Sequence, residues 1–397
     1  MPLTWPSAPQ ISPHTGAPVG DRLLEGQAGE NEGKGSIMMN LRRKRDLIRL
    51  GLGLLLLLFG PALPAMADDE KVCGLWEQTS YCLTDIGALL GDYSFATGIN
   101  NNGEVVGNFG NGRAFLYKDG AVAKIEPLEG GNAIGVSAIN NAGVIVGNSV
   151  NSDAGSDSTP VIVVSGQTMA LPSLSNAIPH AINDSGQIAG AAQGMGAFVY
   201  HAGAAVSIGG EGSAAYGMNA DGDVVGISEN SRAFVHGSGG TVEIGALPGN
   251  SYSSGNSIND RRQVAGVSAP NGINEGQAVL YSNETGMVAL GRLELGDVYS
   301  VATAINMCGQ VVGFSGITPD FYATKGVRAF LYAFETMIDL NKRLADASGI
   351  FVTAASAIND HGQIAGRGSK DDHLHAVLLT PRKENEGCDT GVRQPVK

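Results

Sequence analysis

The stretch Ile99-Asn100-Asn101-Asn102-Gly103-Glu104-Val105-Val106-Gly107 sets the architecture of this chain because it is one of seven. An apolar residue, an Asn, a short turn, two or three apolar residues and a closing Gly return at 139–147, 182–190, 218–226, 258–266, 305–313 and 358–366. Successive asparagines (Asn100, Asn140, Asn183, Asn219, Asn259, Asn306, Asn359) lie 40, 43, 36, 40, 47 and 53 residues apart. Self-similarity at that period marks a supersecondary unit that buries its apolar faces only against copies of itself.

Outward from the first copy, 94–99 predicts a short strand running into the Asn turn, and 104–106 a second strand. Arg113-Ala114-Phe115-Leu116-Tyr117 has the aromatic and branched composition of a third strand. Lys118-Asp119-Gly120 then reads as a hairpin turn, and 121–128 as a fourth strand. The high glycine content, 58 residues or about 15 % against a usual ~7 %, fits turn chemistry recurring in each unit. Seven such four-stranded antiparallel units predict an all-β chain folded as a seven-bladed β-propeller.

The ends of the pattern predict how the ring closes. The segment 84–89 resembles a fourth strand standing before the first Asn turn, whereas the last repeat stops after its third strand at Leu379-Thr380. The N-terminal strand therefore completes the last blade and leaves no open edge. Closure brings Cys73 or Cys82 near Cys388, and the sequence does not choose between the pairings.

Ahead of the repeats, 1–38 shows no periodicity and reads either as a disordered extension or as one upstream of the true start. Residues 39–67 resemble a signal peptide: Arg42, Arg43, Lys44, Arg45 and Arg49 precede an apolar core at 50–60, and Ala65-Met66-Ala67 offers a cleavage site. That core is too short to span a bilayer, which needs about 20 residues. The organisation expected is then a lead-in at 68–81, the propeller at 82–382 and a polar tail at 383–397. A secreted or periplasmic protein follows, with no stable membrane insertion after cleavage. The mature part carries a net charge near −15, which repels phosphate backbones and argues against nucleic acid as a partner.

The pairing of I-N-x-x-G-x-V-V-G with A-F-L-Y and a following L-G-x-L segment resembles the bacterial extracellular HAF repeat family over about 82–380. The namesake His-Ala-Phe is nowhere intact: His375-Ala376-Val377 comes nearest, and Arg113, Arg232 and Arg328 replace the His elsewhere. The resemblance implies an exported repeat protein and brings no catalytic residues with it.

Residues repeated seven times are demanded by a backbone repeated seven times. The asparagines read as turn formers whose side chains bond the backbone two residues on, with Gly three residues later in the left-handed region and Arg262 replacing it once. Phe115, Phe198, Phe234 and Phe330 read as core between blades. Function is expected where the repeats disagree. The segments from the closing Gly to the third strand vary most, and they share one end of the propeller with the fourth-to-first connections. That end gathers Tyr93, Tyr252, Tyr299, Asp320, Phe321, Tyr322, Phe351, Asp371 and His373, a rim of aromatic and acidic residues able to stack on sugar rings or hold peptide.

No catalytic motif appears, and no cofactor is expected. Calcium is the one ion with some oxygen density for it, at Asn219-Ala220-Asp221-Gly222-Asp223, which lacks the distal Glu of a calcium loop. His373 and His375 stand two apart and share a strand face, while His180 reads as a lone loop histidine. The sequence thus points to an exported, non-catalytic binding scaffold for a glycan or protein partner. Two other readings stay open: a propeller hydrolase or lyase with an acidic and His site at the channel mouth, and a purely structural envelope or matrix protein.

Overall fold

In the computed structural model the described residues are 79–382 and Cys388, apart from 92, 152–157, 172, 175, 273–274, 319–321 and 347. The extension, the signal segment, nearly all of the lead-in and the tail, Cys73, Asp320 and Phe321 therefore lie outside them. Seven four-stranded antiparallel sheets form, each with its strands in sequential order except the last. Blade 1 comprises Ser94–Ile99, Val105–Phe109, Arg113–Lys118 and Ala121–Ile125. Blades 2 to 6 repeat the meander from Ala133–Ile139, Ala177–Ile182, Ala214–Met218, Tyr252–Ile258 and Tyr299–Ile305 as their first strands. Blade 7 takes Phe351–Ile358, Ile364–Lys370 and His373–Pro381 from the C-terminal end, and Tyr81–Asp85 from the N-terminal end as its outermost strand. The chain is a seven-bladed β-propeller.

The closing strand lies earlier than the sequence pattern places it. Tyr81–Asp85 pairs with His373–Pro381, and 87–89 leaves the sheet as a 3-10 turn. Gly87 sits so close to the third strand that a Cβ would stand 2.6 Å from that of His375. Closure is made in the core as well. Tyr81 and Leu83 join a buried cluster built from blades 6 and 7, while Ala365, Ala376 and Leu378 of blade 7 pack with Val105, Phe115 and Tyr117 of blade 1. Cys82 is bonded to Cys388, 306 residues away, which tethers the N-terminal strand to the far end of the chain. Cys308 is also disulfide-bonded, to a partner outside the described residues.

The seven asparagines do more than form turns. Their Oδ1 atoms accept backbone N–H groups of their own turns, as expected, but each Nδ2 also reaches the next blade. Asn100 donates to the carbonyl of Asn140 at 3.0 Å, Asn140 to Asn183 at 3.1 Å, Asn183 to Asn219 and Asn219 to Asn259 at 3.2 Å. Asn259 donates to Asn306 at 3.0 Å, Asn306 to Asn359 at 3.1 Å, and Asn359 back to Asn100 at 3.0 Å. Seven side chains thus close a circle of hydrogen bonds around the axis. A second, interrupted circle links the following residues: Asn101 to Asn141, Asn141 to Asp184, Ala220 to Asp260, Met307 to Asp360 and Asp360 to Asn101. It breaks where Ala220 and Met307 offer no side-chain oxygen.

The closing glycines answer a second repeated constraint. Every first strand carries a β-bulge three residues before its Asn, at Thr97, Ser137, His180, Tyr216, Asn256, Thr303 and Ser356. The bulge bends the strand and pushes a carbonyl toward the facing Gly of the second strand. A Cβ on Gly107, Gly147, Gly190, Gly226, Gly266, Gly313 or Gly366 would lie 1.9–2.2 Å from that oxygen. Phe115, Phe198 and Phe330 also rest on the bare glycine face, where a Cβ would meet the ring at 2.7–2.9 Å. These buried rings contribute roughly 1.5–3 kcal/mol each. At the one turn without glycine, Arg262 adopts φ 58° and lies 3.4 Å from the buried Asp223 of the preceding blade.

Gly313→Ala is expected to cost roughly 3 kcal/mol or more, because its methyl would overlap the Val301 carbonyl at 1.9 Å. Gly239→Ala, with nothing within 4 Å of the new Cβ, serves as the control and is expected to change stability by less than about 0.5 kcal/mol. Urea unfolding of the two variants checks this, and equal costs would contradict it.

Candidate functional site

Residues from the Asn turns of all seven blades line one cavity of about 200 Å³, which places the first strands around the axis and the Asn turns at one mouth of the channel. This turn face is stereotyped. The opposite face holds the second-to-third loops and the fourth-to-first connections, where the repeats differ.

On that loop face the structure brings together parts of three blades. Tyr93, at φ 65° just before the first strand of blade 1, sets its ring edge-on to Phe95 at 6.1 Å. Phe95 in turn meets Tyr322 at 5.6 Å. Tyr322 belongs to the long loop of blade 6, which therefore reaches past blade 7 to blade 1. Beneath it the guanidinium of Arg367, from the second strand of blade 7, lies 5.3 Å from the Tyr322 ring centroid, a cation–π contact. Lys325 of the same loop pairs with Asp372 of blade 7 at 2.7 Å. Tyr93 remains 44 % exposed and Tyr322 37 %, whereas Arg367 is fully buried. Two partly exposed tyrosines, joined through Phe95, thus stand beside a buried cation on this face.

The other rim residues divide. Asp371 and His373 stand on the hairpin beside Asp372, where Asp371 and Asp372 both take positive φ, as a two-residue hairpin turn requires. Phe351 is 44 % exposed at the start of its strand. Tyr252 is half-buried, and its phenol is pushed up to about 12 by burial and by neighbouring Tyr216. Tyr299 is a correction: it is 1 % exposed, packs on Phe314 at 5.8 Å, and belongs to the core instead of the rim. Burial raises its phenol further still.

His180 is a second correction. It sits on the bulge of the first strand of blade 3, not in a loop, and its ring meets Tyr216 of blade 4 at 5.2 Å. Burial holds its imidazole down at about 4. His373 and His375 do share a strand face, but His375 Nδ1 lies 2.8 Å from Asp85, with Lys370 3.5 Å from the same carboxylate. That pair joins the third strand of blade 7 to its closing strand, at the outer side of the blade and away from the channel mouth. In the turn with calcium-like oxygen density, Asp223 Oδ2 is taken by Asn219 and Arg262. Among the described residues no group of three or more His, Cys, Asp or Glu side chains is placed to hold a metal ion.

Phe95, Lys325 and Arg367 escaped the sequence reading. Arg367 had a signal, because the slot after the closing Gly is otherwise Asn108, Asn148, Ala191, Ile227, Val267 and Phe314.

No family model matches the sequence, and no curated protein matches it. Solved structures do resemble it. The β-propeller domain of the trilobed protease from Pyrococcus furiosus, whose ring has an open velcro topology, shares 12 % identity over 61 % of this chain and 82 % of its own, with a TM-score of 0.39. A puromycin-hydrolysing peptidase of Mycobacterium tuberculosis shares 11 % over 75 % of this chain and 53 % of its own, at 0.45. YCF48 bound to D1 peptide shares 9 % over 78 % and 99 %, at 0.47. The chain spans about half the length of the peptidase. At such identities and TM-scores the likeness says nothing of ligand or chemistry.

The half-buried His180, packed on Tyr216, gives a pH dependence of definite sign. Its folded-state value near 4 lies below the ordinary 6.5, so between the two the unfolded chain binds the proton and stability falls as the pH drops. Urea unfolding at pH 7.5 and 4.5 is expected to show His180→Phe losing about 2–3 kcal/mol less than the parent over that interval. An identical loss in both proteins would contradict an imidazole held neutral by its packing.

Proposed function

We propose that this protein is an exported, non-catalytic binding scaffold of HAF type that grips an extended partner, a glycan or a peptide segment, on its loop face. The observation that carries the reading is the cluster of Tyr93, Phe95 and Tyr322 beside Arg367, assembled from three blades with both tyrosines partly exposed. Rings held edge-to-face by their neighbours lose little freedom on binding, and their faces stack equally well on the apolar side of a sugar or on a peptide side chain. The Lys325–Asp372 pair at the edge supplies polar contacts for register. Export is supported by the Cys82–Cys388 bond, which persists in an oxidising compartment. The acidic net charge favours a neutral or basic ligand over a phosphorylated one.

The test is an array of envelope polysaccharides and peptides probed with the purified protein and with Tyr93→Ala and Tyr322→Ala. A bound ligand is expected to lose roughly tenfold or more in affinity with either variant, a cost of about 1.4 kcal/mol or more, while melting stays within a few degrees of the parent. A ligand held equally well by both variants would place recognition elsewhere and overturn the reading.

A further inference from the structure

Each gap between neighbouring blades is plugged near the turn face by one residue of a third strand. The slot faces the residue directly after each turn-side Glu, Gln or Val of the second strand: Tyr117, Val163, Tyr200, Tyr281, Tyr332 and Leu379 occupy it in six blades. All six pack into the clusters that join their blade to the one before. Blade 4 departs twice. His236 stands in the plug position, opposite Val224, and Gly237 follows where the other blades carry a side chain.

The smaller ring leaves a cavity of about 280 Å³ between blades 3 and 4. Val206 and Ile208 of blade 3 give it an aliphatic wall, and Gln187, Asp221, Asp223 and His236 give it polar atoms. The surrounding hydrogen bonds fix what those atoms can do. Thr241 Oγ1 donates its proton to the Ile208 carbonyl at 2.7 Å, so toward His236 it accepts. His236 Nδ1, 2.7 Å from that oxygen, therefore carries the ring proton, and Nε2 is left as an acceptor. Burial lowers the His236 pKa against the pull of Asp223, which keeps the ring neutral. Asp223 uses Oδ2 for Asn219 and Arg262 and turns Oδ1 toward Gly237, where a Cβ would stand 2.2 Å from it. Asp221 is exposed at the edge. Gln187 gives its Oε1 to Asn183 and keeps an amide donor. No lysine or arginine is among the lining residues, and the nearest cation, Arg262, pairs with Asp223 behind Gly237 and comes 3.3 Å from where a Gly237 Cβ would stand.

An aliphatic wall leading to an imidazole acceptor and two carboxylates suits one class of ligand. We infer that this cavity is a second binding site, on the turn face, for a primary ammonium group on a short alkyl stem. A free diamine and a lysine side chain both carry that group. The stem lies on Val206 and Ile208, and the ammonium protons go to His236 Nε2, Asp223 Oδ1 and the Asp221 carboxylate. This site is independent of the loop face.

The test is calorimetric titration of the purified protein with putrescine and with Nα-acetyl-lysine N-methylamide. Saturable one-to-one binding of at least one probe is expected, and the tighter of the two names the source. Tyr is what four other blades carry at this position, so His236→Tyr is expected to weaken binding at least tenfold without lowering the melting temperature. Val206→Phe fills the same cavity from an exposed position and decides the matter if the first variant does not fold. Asp221→Asn is expected to weaken binding severalfold, and Tyr322→Ala to leave it unchanged. No saturable binding of either probe, or binding that His236→Tyr and Val206→Phe both leave intact, would overturn the inference.

Discussion

The hydrogen bond from each turn asparagine to the backbone of the next blade is the interaction on which the rest of this structure depends. It satisfies two polar groups at once, a side-chain amide and a carbonyl, on asparagines that are almost wholly buried. Because the donor of one blade serves the acceptor of the next, the arrangement is complete only as a circle. The last link, Asn359 to Asn100, joins residues 259 apart in sequence, and it has the same 3.0 Å length as the link from Asn100 to Asn140. The closing strand and the Cys82–Cys388 bond hold the outer edge of blade 7, so the ring is fastened at its inner and outer radii.

That circle explains why the turn face varies so little and where variation is tolerated. Asn supplies a donor and an acceptor in one short side chain; Asp would lose the donor, and Gln would overshoot the turn. The bulge and its facing Gly are equally unforgiving, since any Cβ meets a carbonyl at about 2 Å. Positions beyond these constraints are free to differ, and there the chain has built its two candidate surfaces. One comes from an insertion, the loop of blade 6 that carries Tyr322 across to Phe95. The other comes from a deletion of volume, His236 for Tyr.

Much of the fold was legible in the sequence because the repeat states it seven times. Blade number, strand order and the completion of the last blade by the N-terminal strand all follow from spacing and from the mismatch between the chain's ends. The closing strand was misplaced by a few residues because 86–89 carries the same I-G-A-L letters as 244–247, yet only the latter begins inside a strand. The reach of the asparagines was not legible. An Asn–x–x–Gly turn has a sufficient local explanation, and nothing in a spacing of about forty residues tells which way a side-chain amide points. Burial was harder still. Tyr252 and Tyr299 occupy the same slot of consecutive repeats, but Phe314 behind the second one takes it into the core. Arg367 and His236 depart from the repeat, but a single odd residue carries little weight until the fold supplies its neighbours.

The most direct test of the asparagine circle is equilibrium unfolding of the seven single Asn→Ala variants. Each substitution leaves a neighbour's carbonyl and its own turn amides without partners, at about 1–3 kcal/mol. A closed circle requires a cost in that range at all seven positions, including Asn359 and Asn100 on either side of the chain's closure. Costs below about 0.5 kcal/mol at several positions, or losses graded toward the ends of the chain, would show that the blades are held by packing alone and contradict the account.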